Sequence, residues 1–211
     1  MRIMGFPDRL LSAADEALRT LSGAHGPVRP SPNADIPETN LDATDRRASA
    51  ALMRVNHAGE IAAQALYSGQ AVLARSEQTR EHLLQAGREE QDHLAWCTQR
   101  LDELGARPSL LAPAWYAGAF ALGLLAGAAG DRVSLGFIAE TERQVESHIH
   151  DHLARLPARD RKSAAILERM AADEAHHGTT ARLAGGIELP RPVRTLMTIG
   201  GEVLRRVAAQ V

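Results

Sequence analysis

Two Glu-x-x-His pairs are the residues of this sequence whose type and spacing are best suited to chemistry. The pairs are Glu90 with His93 and Glu174 with His177. A Glu and a His three positions apart on a helix project from one face, so each pair can bind a metal ion. A lone Glu precedes each pair by about thirty residues, Glu60 before the first and Glu142 before the second. The chain therefore contains one potential metal-binding unit twice.

This combination of residues is typical of a dinuclear metal site in a helical bundle. A Glu from each of two helices and a Glu-x-x-His pair from each of two others form the ligand set of di-iron and di-manganese four-helix bundles. Four carboxylates facing a core are costly unless a cation binds them, and two divalent cations would balance their charge. Oxygen donors with two imidazoles and no thiolate favour iron or manganese, and iron if the site activates oxygen. Asp92 and Asp173 each adjoin a pair, and each is a candidate either to orient a ligand imidazole or to lie on the surface.

Four long helices are needed to position these side chains, and capping residues with helical apolar spacing predict them. They run from 42–45 to about 75, from the turn at Ser76 to 104, from just after Gly130 through 156, and from about 160 to 183. Asp131 or Ser134 is the expected cap of the third helix. Each candidate ligand falls within the apolar stripe of its helix, so all six should face the core.

Three further segments flank or join these helices. Residues 8–21 predict a short amphipathic helix that caps the bundle or lies on its surface. Four prolines within 23–37 break any helix, which predicts a linker or a wrapped arm. Past Pro192, apolar residues alternate with arginines and predict a basic amphipathic C-terminal helix. We therefore divide the chain into an N-terminal helix and arm, 1–43, and a helical domain, 44–211.

The segment 109–130 contains no charged residue in 22 positions, which is long enough to span a membrane. A span is rejected, because it would place Glu90 on one side of the bilayer and Glu142 on the other. A bundle of two hairpins needs a long crossover, and this segment has the required length and position. It is then either a buried crossover or a segment in the membrane interface, and with the basic C-terminal helix it favours peripheral membrane attachment.

Composition excludes several classes of function. With 211 residues, of which 45% are hydrophobic, the chain can bury one sizeable core. A net charge of −2 and an aromatic content of 3% argue against nucleic acid as a partner. Cys97 is the single cysteine, which rules out an internal disulfide and a Cys-based metal site. The N-terminus shows no secretory or transit signal, as expected for a protein on the cytoplasmic side of a bacterial membrane.

Four motifs carry a resemblance to a known family. They are Arg54-Val55-Asn56-His57-Ala58-Gly59-Glu60, Glu89-Glu90-Gln91-Asp92-His93, Glu140-Thr141-Glu142 and Asp173-Glu174-Ala175-His176-His177-Gly178. From about residue 45 to the C-terminus the sequence resembles the demethoxyubiquinone hydroxylase family, the carboxylate-bridged di-iron monooxygenases of ubiquinone biosynthesis. Asn56 stands where some relatives are expected to have Asp, away from the ligands.

The resemblance implies an all-α, ferritin-like four-helix bundle of two hairpins with a long crossover. It implies that Glu60, Glu90, His93, Glu142, Glu174 and His177 hold two iron ions, and that His148 lines the quinone site. The implied reaction is hydroxylation of a polyprenylated methoxy-methyl-benzoquinol by dioxygen at the cytoplasmic face of the inner membrane. The sequence contains no Gly-x-Gly-x-x-Gly motif for a nucleotide, so an external donor or the quinol itself must supply electrons. A second copy of this chain and an accessory protein of ubiquinone biosynthesis stay open as partners.

Two alternatives belong to other classes of function. A ferritin-like iron store or peroxide scavenger could use the same six ligands, but the neutral segment 109–130 argues against the charged exterior that it needs. A metal-free membrane-associated scaffold would leave six core-facing polar side chains unexplained.

Overall fold

The computed structural model describes residues 5–24 and 26–211, and within them every regular element is an α-helix. The helices are α1 (Phe6–Ser22), α2 (Ala43–Leu73), α3 (Glu77–Glu103), α4 (Ala112–Ala128), α5 (Asp131–Arg155), α6 (Arg161–Leu183) and α7 (Arg191–Ala208). The prediction of an all-α, ferritin-like bundle is confirmed, and the four long helices end within about two residues of their expected bounds.

Side-chain caps explain where three of the four long helices begin. The Asp42 carboxylate accepts hydrogen bonds from two backbone N–H groups at the start of α2, at 2.8 and 2.9 Å. The Ser76 hydroxyl accepts from the Thr79 N–H at the start of α3. Asp160 accepts from the Ser163 N–H at the start of α6. Each cap satisfies an N–H group that has no partner within its own helix, which fixes the start of the helix.

The expected cap of α5 was wrong. Gly130, with a φ of 106°, precedes α5, and no side chain caps this helix. The Asp131 carboxylate instead accepts hydrogen bonds from the backbone N–H groups of Arg75 and Ser76, both at 2.9 Å. Asp131 therefore fastens the turn between α2 and α3 to the start of α5, a contact between segments distant in sequence.

The bundle consists of two antiparallel hairpins, α2 with α3 and α5 with α6, which pack on each other through α3 with α6 and α2 with α5. Apolar side chains from all four helices form one cluster at one end of the bundle and another at the other end. The first includes Met53, Trp96, Ile149 and Met170. The second includes Tyr67, Leu83, Ile138 and Ala181. In each helix the candidate ligands come between the residues of the two clusters, so a buried polar layer separates them.

The apolar segment 109–130 forms α4, which packs lengthwise on α2. Two glycines allow this close approach, because a Cβ built at Gly123 would be 2.3 Å from the Leu66 carbonyl oxygen, and one at Gly69 would be 2.4 Å from the Phe120 oxygen. The opposite face is open, with Leu122 51% and Leu125 67% exposed. The segment joins the two hairpins as expected, and of the two interpretations left open, a buried crossover does not fit this exposed face.

The terminal segments also pack on the bundle. Helix α1 lies on α2, where the Thr20 hydroxyl donates a buried 2.8 Å hydrogen bond to the Gln64 side chain. The Pro-rich segment after α1 is a wrapped arm, since Leu41 enters the core and Glu38 pairs with the buried Arg100 at 2.7 Å. Helix α7 packs on α2 and α5. Within the described residues, no helix has both the length and the apolar character needed to cross a membrane.

Candidate metal centre

The six residues that the sequence analysis selected come together in the polar layer of the bundle. Glu60 is on α2, Glu90 and His93 on α3, Glu142 on α5, and Glu174 and His177 on α6. None of these residues is more than 4% exposed. Four acids and two imidazoles thus share a site that water hardly reaches, where unpaired charge is costly.

His93 lies at one side of the site, with three carboxylates around its Nδ1 atom. The distances from Nδ1 are 2.8 Å to Glu90 Oε2, 3.3 Å to Glu174 Oε1 and 3.7 Å to Glu60 Oε2. One ligand atom from each of these four residues lies within 4.8 Å of the others, which is close enough for all of them to bind one metal ion.

His177 lies at the other side of the site and contacts two of the same carboxylates. Its Nδ1 is 2.9 Å from Glu90 Oε1 and 3.5 Å from Glu174 Oε2. Each of these two glutamates therefore directs one oxygen to each histidine. Glu142 completes this side, where it interacts with Glu174. The arrangement has two halves, with Glu90 and Glu174 shared between them.

The atoms that face the centre of the site lack hydrogen-bond partners. They are Glu60 Oε2, both oxygens of Glu90, His93 Nδ1, Glu174 Oε2 and His177 Nδ1. Several of them approach within about 3 Å of one another, yet none of the contacts has hydrogen-bond geometry. Buried polar atoms are almost always paired. Converging carboxylate oxygens and imidazole nitrogens without hydrogen-bond partners suit a bound cation, so these residues fit a metal centre.

Burial and mutual repulsion control protonation in this cluster. Burial raises the pKa of Glu60 well above its usual range, and burial with the charges of Glu174 and Glu90 does the same for Glu142. Burial opposes the cationic form of His177, but the nearby carboxylates of Glu174 and Glu90 outweigh this effect and raise its pKa to about 12. Protons therefore neutralise part of the cluster, and a metal ion would have to displace them.

The outer nitrogen of each candidate histidine is bound by a second acid. His93 Nε2 is 3.0 Å from Asp173 Oδ2, and His177 Nε2 is 2.7 Å from Glu89 Oε2. These bonds direct both Nδ1 atoms inwards, as outer partners of metal ligands do. Of the two aspartates proposed for this role, Asp173 contacts a histidine, whereas Asp92 binds the N-terminal arm at Val28 and Arg29.

Two partners of the site were missed by sequence reasoning. The Tyr67 hydroxyl donates a short hydrogen bond to Glu142, and Glu89 holds His177. Tyr67 follows Glu60 by two helical turns and therefore falls on the same face of α2, and this spacing was the available signal. Glu89 adjoins Glu90 in its motif, but sequence does not reveal which neighbour of a ligand reaches across to another helix. Tyr67 also lines a cavity of about 410 Å³ between α1, α2 and α3.

His148, the candidate residue of the quinone site, lies outside the six-residue cluster. It lines a second cavity, of about 320 Å³, between α5 and α7. Its Nδ1 is 3.3 Å from the Gln144 carbonyl oxygen, and its ring packs edge-on against His152. Burial is the main cause that lowers the pKa of His148 to about 4, and the positive charge of Arg205 is the second cause. The imidazole is therefore neutral at neutral pH.

The sequence is similar to one family of known proteins. A family model described as ubiquinone biosynthesis protein COQ7 matches residues 47–208. Relatives named 3-demethoxyubiquinol 3-hydroxylase include one from Azoarcus sp., 54% identical over 97% of this chain and 99% of its own length, and one from Cupriavidus metallidurans, 53% identical over 97% and 100%. A third, from Janthinobacterium sp., is 57% identical over 89% and 90%. With this coverage and these identities, the chain belongs to the COQ7 family of ubiquinone biosynthesis proteins.

Proposed function

We propose that this protein is a 3-demethoxyubiquinol 3-hydroxylase, a monooxygenase that adds a ring hydroxyl to a polyprenylated benzoquinol with dioxygen. The observation that carries the proposal is the convergence of unpartnered carboxylate oxygens and imidazole Nδ1 atoms at the centre of the bundle. Relatives more than 50% identical over nearly the whole chain bear the name of this activity. A buried, donor-poor site of this kind suits a metal that activates oxygen rather than a hydrolytic water.

Two iron ions are the proposed cofactor, held by Glu60, Glu90, His93, Glu142, Glu174 and His177. Two divalent cations supply four positive charges against four carboxylates, while neutral imidazoles add none, so the buried layer is balanced. Hard oxygen ligands with two nitrogens suit iron. Glu90 and Glu174 each direct one oxygen to each histidine, which supports a place for both residues in the ligand set.

When bound, the iron pair would supply dioxygen activation, and the protein's residues control everything around it. Asp173 and Glu89 fix the rings of His93 and His177. The two ligands are therefore already oriented when the ions bind, which reduces the entropy lost on binding. The Tyr67 hydroxyl holds a proton beside Glu142 and closes the side of the site that adjoins the larger cavity. The apolar clusters on both sides of the polar layer exclude water.

His148 is the proposed contact to the quinol ring. Its neutral imidazole carries one proton, and Nδ1 holds that proton because it donates to the Gln144 carbonyl oxygen. This leaves Nε2 to accept a hydrogen bond from a ring hydroxyl of the quinol. The electrons would come from an external donor or from the quinol itself, since every regular element of the described chain is helical and offers no βαβ unit for a nucleotide.

We further propose peripheral attachment to the cytoplasmic face of the bacterial inner membrane, where a polyprenylated substrate resides. Helices α1, α4 and α7 all pack on α2 and expose large apolar side chains. These include Phe6 and Leu11 on α1, Leu122 and Leu125 on α4, and Leu196 and Ile199 on α7. Exposed apolar side chains of this kind, together with the arginines of α7, fit helices that lie in the headgroup region of a membrane.

Labelled dioxygen gives the decisive test of the reaction. The purified, iron-loaded protein should convert the reduced precursor to a product that carries the label in its new hydroxyl group. A deletion strain should accumulate the precursor that lacks this oxygen. An iron store or peroxide scavenger would consume oxidant and leave the quinol unchanged. Label incorporated from water instead of dioxygen would contradict the proposed monooxygenase.

A further inference from the structure

Arg29, in the Pro-rich arm, contacts two helices of the bundle at once. Its Nε is 2.5 Å from Asp92 Oδ2 on α3, and its Nη1 is 2.8 Å from Asp173 Oδ2 on α6. The guanidinium group lies over the Trp96 ring, 5.0 Å from the ring centre. Arg29 precedes residues 47–208, the range that the family model matches, so it is not part of the motifs that define the helical core.

Asp173 connects Arg29 to the metal centre. The same carboxylate oxygen, Oδ2, that accepts from Arg29 is 3.0 Å from His93 Nε2. The other ring nitrogen of His93 faces Glu90, Glu174 and Glu60. Because an imidazole ring is rigid, the position of Asp173 sets the direction of His93 Nδ1. Arg29 in turn restrains Asp173, which places the arm two contacts away from His93, a proposed metal ligand.

The arm is held in place around Arg29 by backbone contacts that do not involve the metal centre. The Val28 N–H donates a 2.6 Å hydrogen bond to Asp92 Oδ1, and the Trp96 indole N–H donates to the Arg29 carbonyl at 3.4 Å. The Asp92 side chain is only 5% exposed, and that of Arg29 is 32% exposed. A planar guanidinium with several N–H donors can bridge two carboxylates, whereas a lysine ammonium acts as a single point charge.

We propose that Arg29 is a positioning residue, through which the N-terminal arm fixes Asp173 and thereby the orientation of His93 at the metal centre. This inference rests on the proposed metal site. Restraint by the arm reduces the rotational freedom that His93 would lose on binding a metal ion. It also locks α3 to α6 at the level of the site, because Arg29 joins an acid from each helix.

Arg169 provides a matched comparison, because it is a second arginine on the same carboxylate. Its Nη2 is 2.8 Å from Asp173 Oδ1 and its Nε is 3.2 Å from Asp173 Oδ2, but it lies one turn away on the same helix and its side chain is 49% exposed. Solvent screens an exposed pair at this spacing. It also moves with α6, so it cannot hold Asp173 relative to α3. Removal of Arg169 should therefore change the metal centre much less than removal of Arg29.

The test compares Arg29→Gln, Asp173→Asn, Arg169→Gln and the double variant of Arg29→Gln with Asp173→Asn. Metal-free protein is titrated with Fe(II) under anaerobic conditions and with Co(II), whose visible spectrum reports the ligand geometry. Loss of an outer partner of a metal ligand typically weakens metal binding about 10- to 100-fold. The loss of metal affinity in Asp173→Asn should fall in this range. Arg29→Gln should weaken metal binding about tenfold and alter the Co(II) spectrum. Arg169→Gln should change metal affinity by about twofold or less.

Two further readouts separate positioning from a purely structural role. In the double variant, affinity should be no lower than in Asp173→Asn alone, because both changes act through the same bond. In metal-free protein, the Nε2 proton of His93 should exchange with solvent faster in Arg29→Gln than in the wild type, as followed by nitrogen-15 NMR. If Arg29→Gln folds poorly, Arg29→Lys retains the charge but not the bridge and should change metal affinity in the same direction.

Wild-type affinity and an unchanged Co(II) spectrum in Arg29→Gln would overturn the inference, as would additive losses in the double variant. A lower melting temperature with unchanged metal binding would also overturn it, because it would show that the arm only stabilises the fold. Failure of the wild-type protein to bind either metal would instead refute the proposed metal centre, and the inference with it.

Discussion

Replacement of Gly123 by Ala should destabilise the protein, whereas Gly118→Ala, five residues away on the same helix, should stabilise it. A Cβ at Gly123 would lie 2.3 Å from the Leu66 carbonyl oxygen of α2, but a Cβ at Gly118 meets no atom within 4 Å. The two substitutions add the same methyl group to the same helix. They differ only in whether another helix occupies the space.

The magnitude follows from the nature of the contact. Real Cβ atoms essentially never approach another heavy atom within 3.0 Å, and the Leu66 oxygen belongs to a backbone that cannot rotate away. Helix α4 must therefore move off α2, and overpacking of this kind costs about 1–3 kcal/mol. Each Gly→Ala change also gains up to about 1 kcal/mol in helix propensity. For a backbone clash this severe we expect a net loss of about 2 kcal/mol at Gly123 and a gain of up to about 1 kcal/mol at Gly118.

Thermal unfolding measures both effects on one scale. In a chain of this size, 1 kcal/mol corresponds to a shift in melting temperature of roughly 2–4 °C. Gly123→Ala should therefore lower the melting temperature by about 4–8 °C, and Gly118→Ala should raise it by about 2–4 °C. Because α2 carries Glu60 and Tyr67, iron content should fall only in the Gly123 variant. Equal shifts of the same sign would refute the close packing of α4 on α2.

Three other predictions concern the site and its surroundings. Glu142→Ala should abolish hydroxylation and lower the iron content of the purified protein below two ions per chain. Glu146→Ala, one turn away and half-exposed, should change neither activity nor iron content appreciably. Equal effects of the two changes would mean that the wrong face of α5 was assigned. Metal affinity should rise steadily from pH 5 to pH 8, because metal ions must displace protons from His177, whose pKa is raised to about 12, and from Glu60, whose pKa is also raised. Calorimetry should detect the release of these protons on metal binding. Metal affinity that does not depend on pH would contradict this prediction. Detergent or strong salt should release the protein from membranes. Tags at both termini and a protease site near Arg107 should all be accessible to reagents on the cytoplasmic side. Protection of any of these sites would contradict peripheral attachment.

Local sequence was sufficient to predict the helices and the six core-facing polar residues. Helical periodicity places residues three and four positions apart on one face, so the Glu-x-x-His pairs could be assigned without any knowledge of packing. The caps Asp42, Ser76 and Asp160 act on N–H groups two or three residues away. Asp42 was predicted as a cap, Ser76 as a turn residue, and 160 as the approximate start of the last long helix. Each of these features depends on the chain within about one turn of itself.

The contacts that complete the site could not be predicted in this way. Asp131 caps a turn 55 residues earlier in the chain instead of its own helix. Glu89 and Asp173 occupy the equivalent position, directly before the Glu of each pair, and each contacts the histidine of the other pair, whereas Asp92, inside its pair, binds the arm. That these acids reach a histidine on the facing helix depends on how α3 and α6 pack against each other.

Helical register is a local property, so the sequence alone predicts which side chains enter the core and which of these carry groups that ligate metals. Tertiary packing sets what surrounds them: Tyr67 on Glu142, Glu89 on His177, and Arg29 on Asp173. It also decided that α4 packs on α2 through glycines and leaves its leucines exposed. These contacts depend on the distances and angles between helices, which are set by the packing of the whole core and not by any one segment.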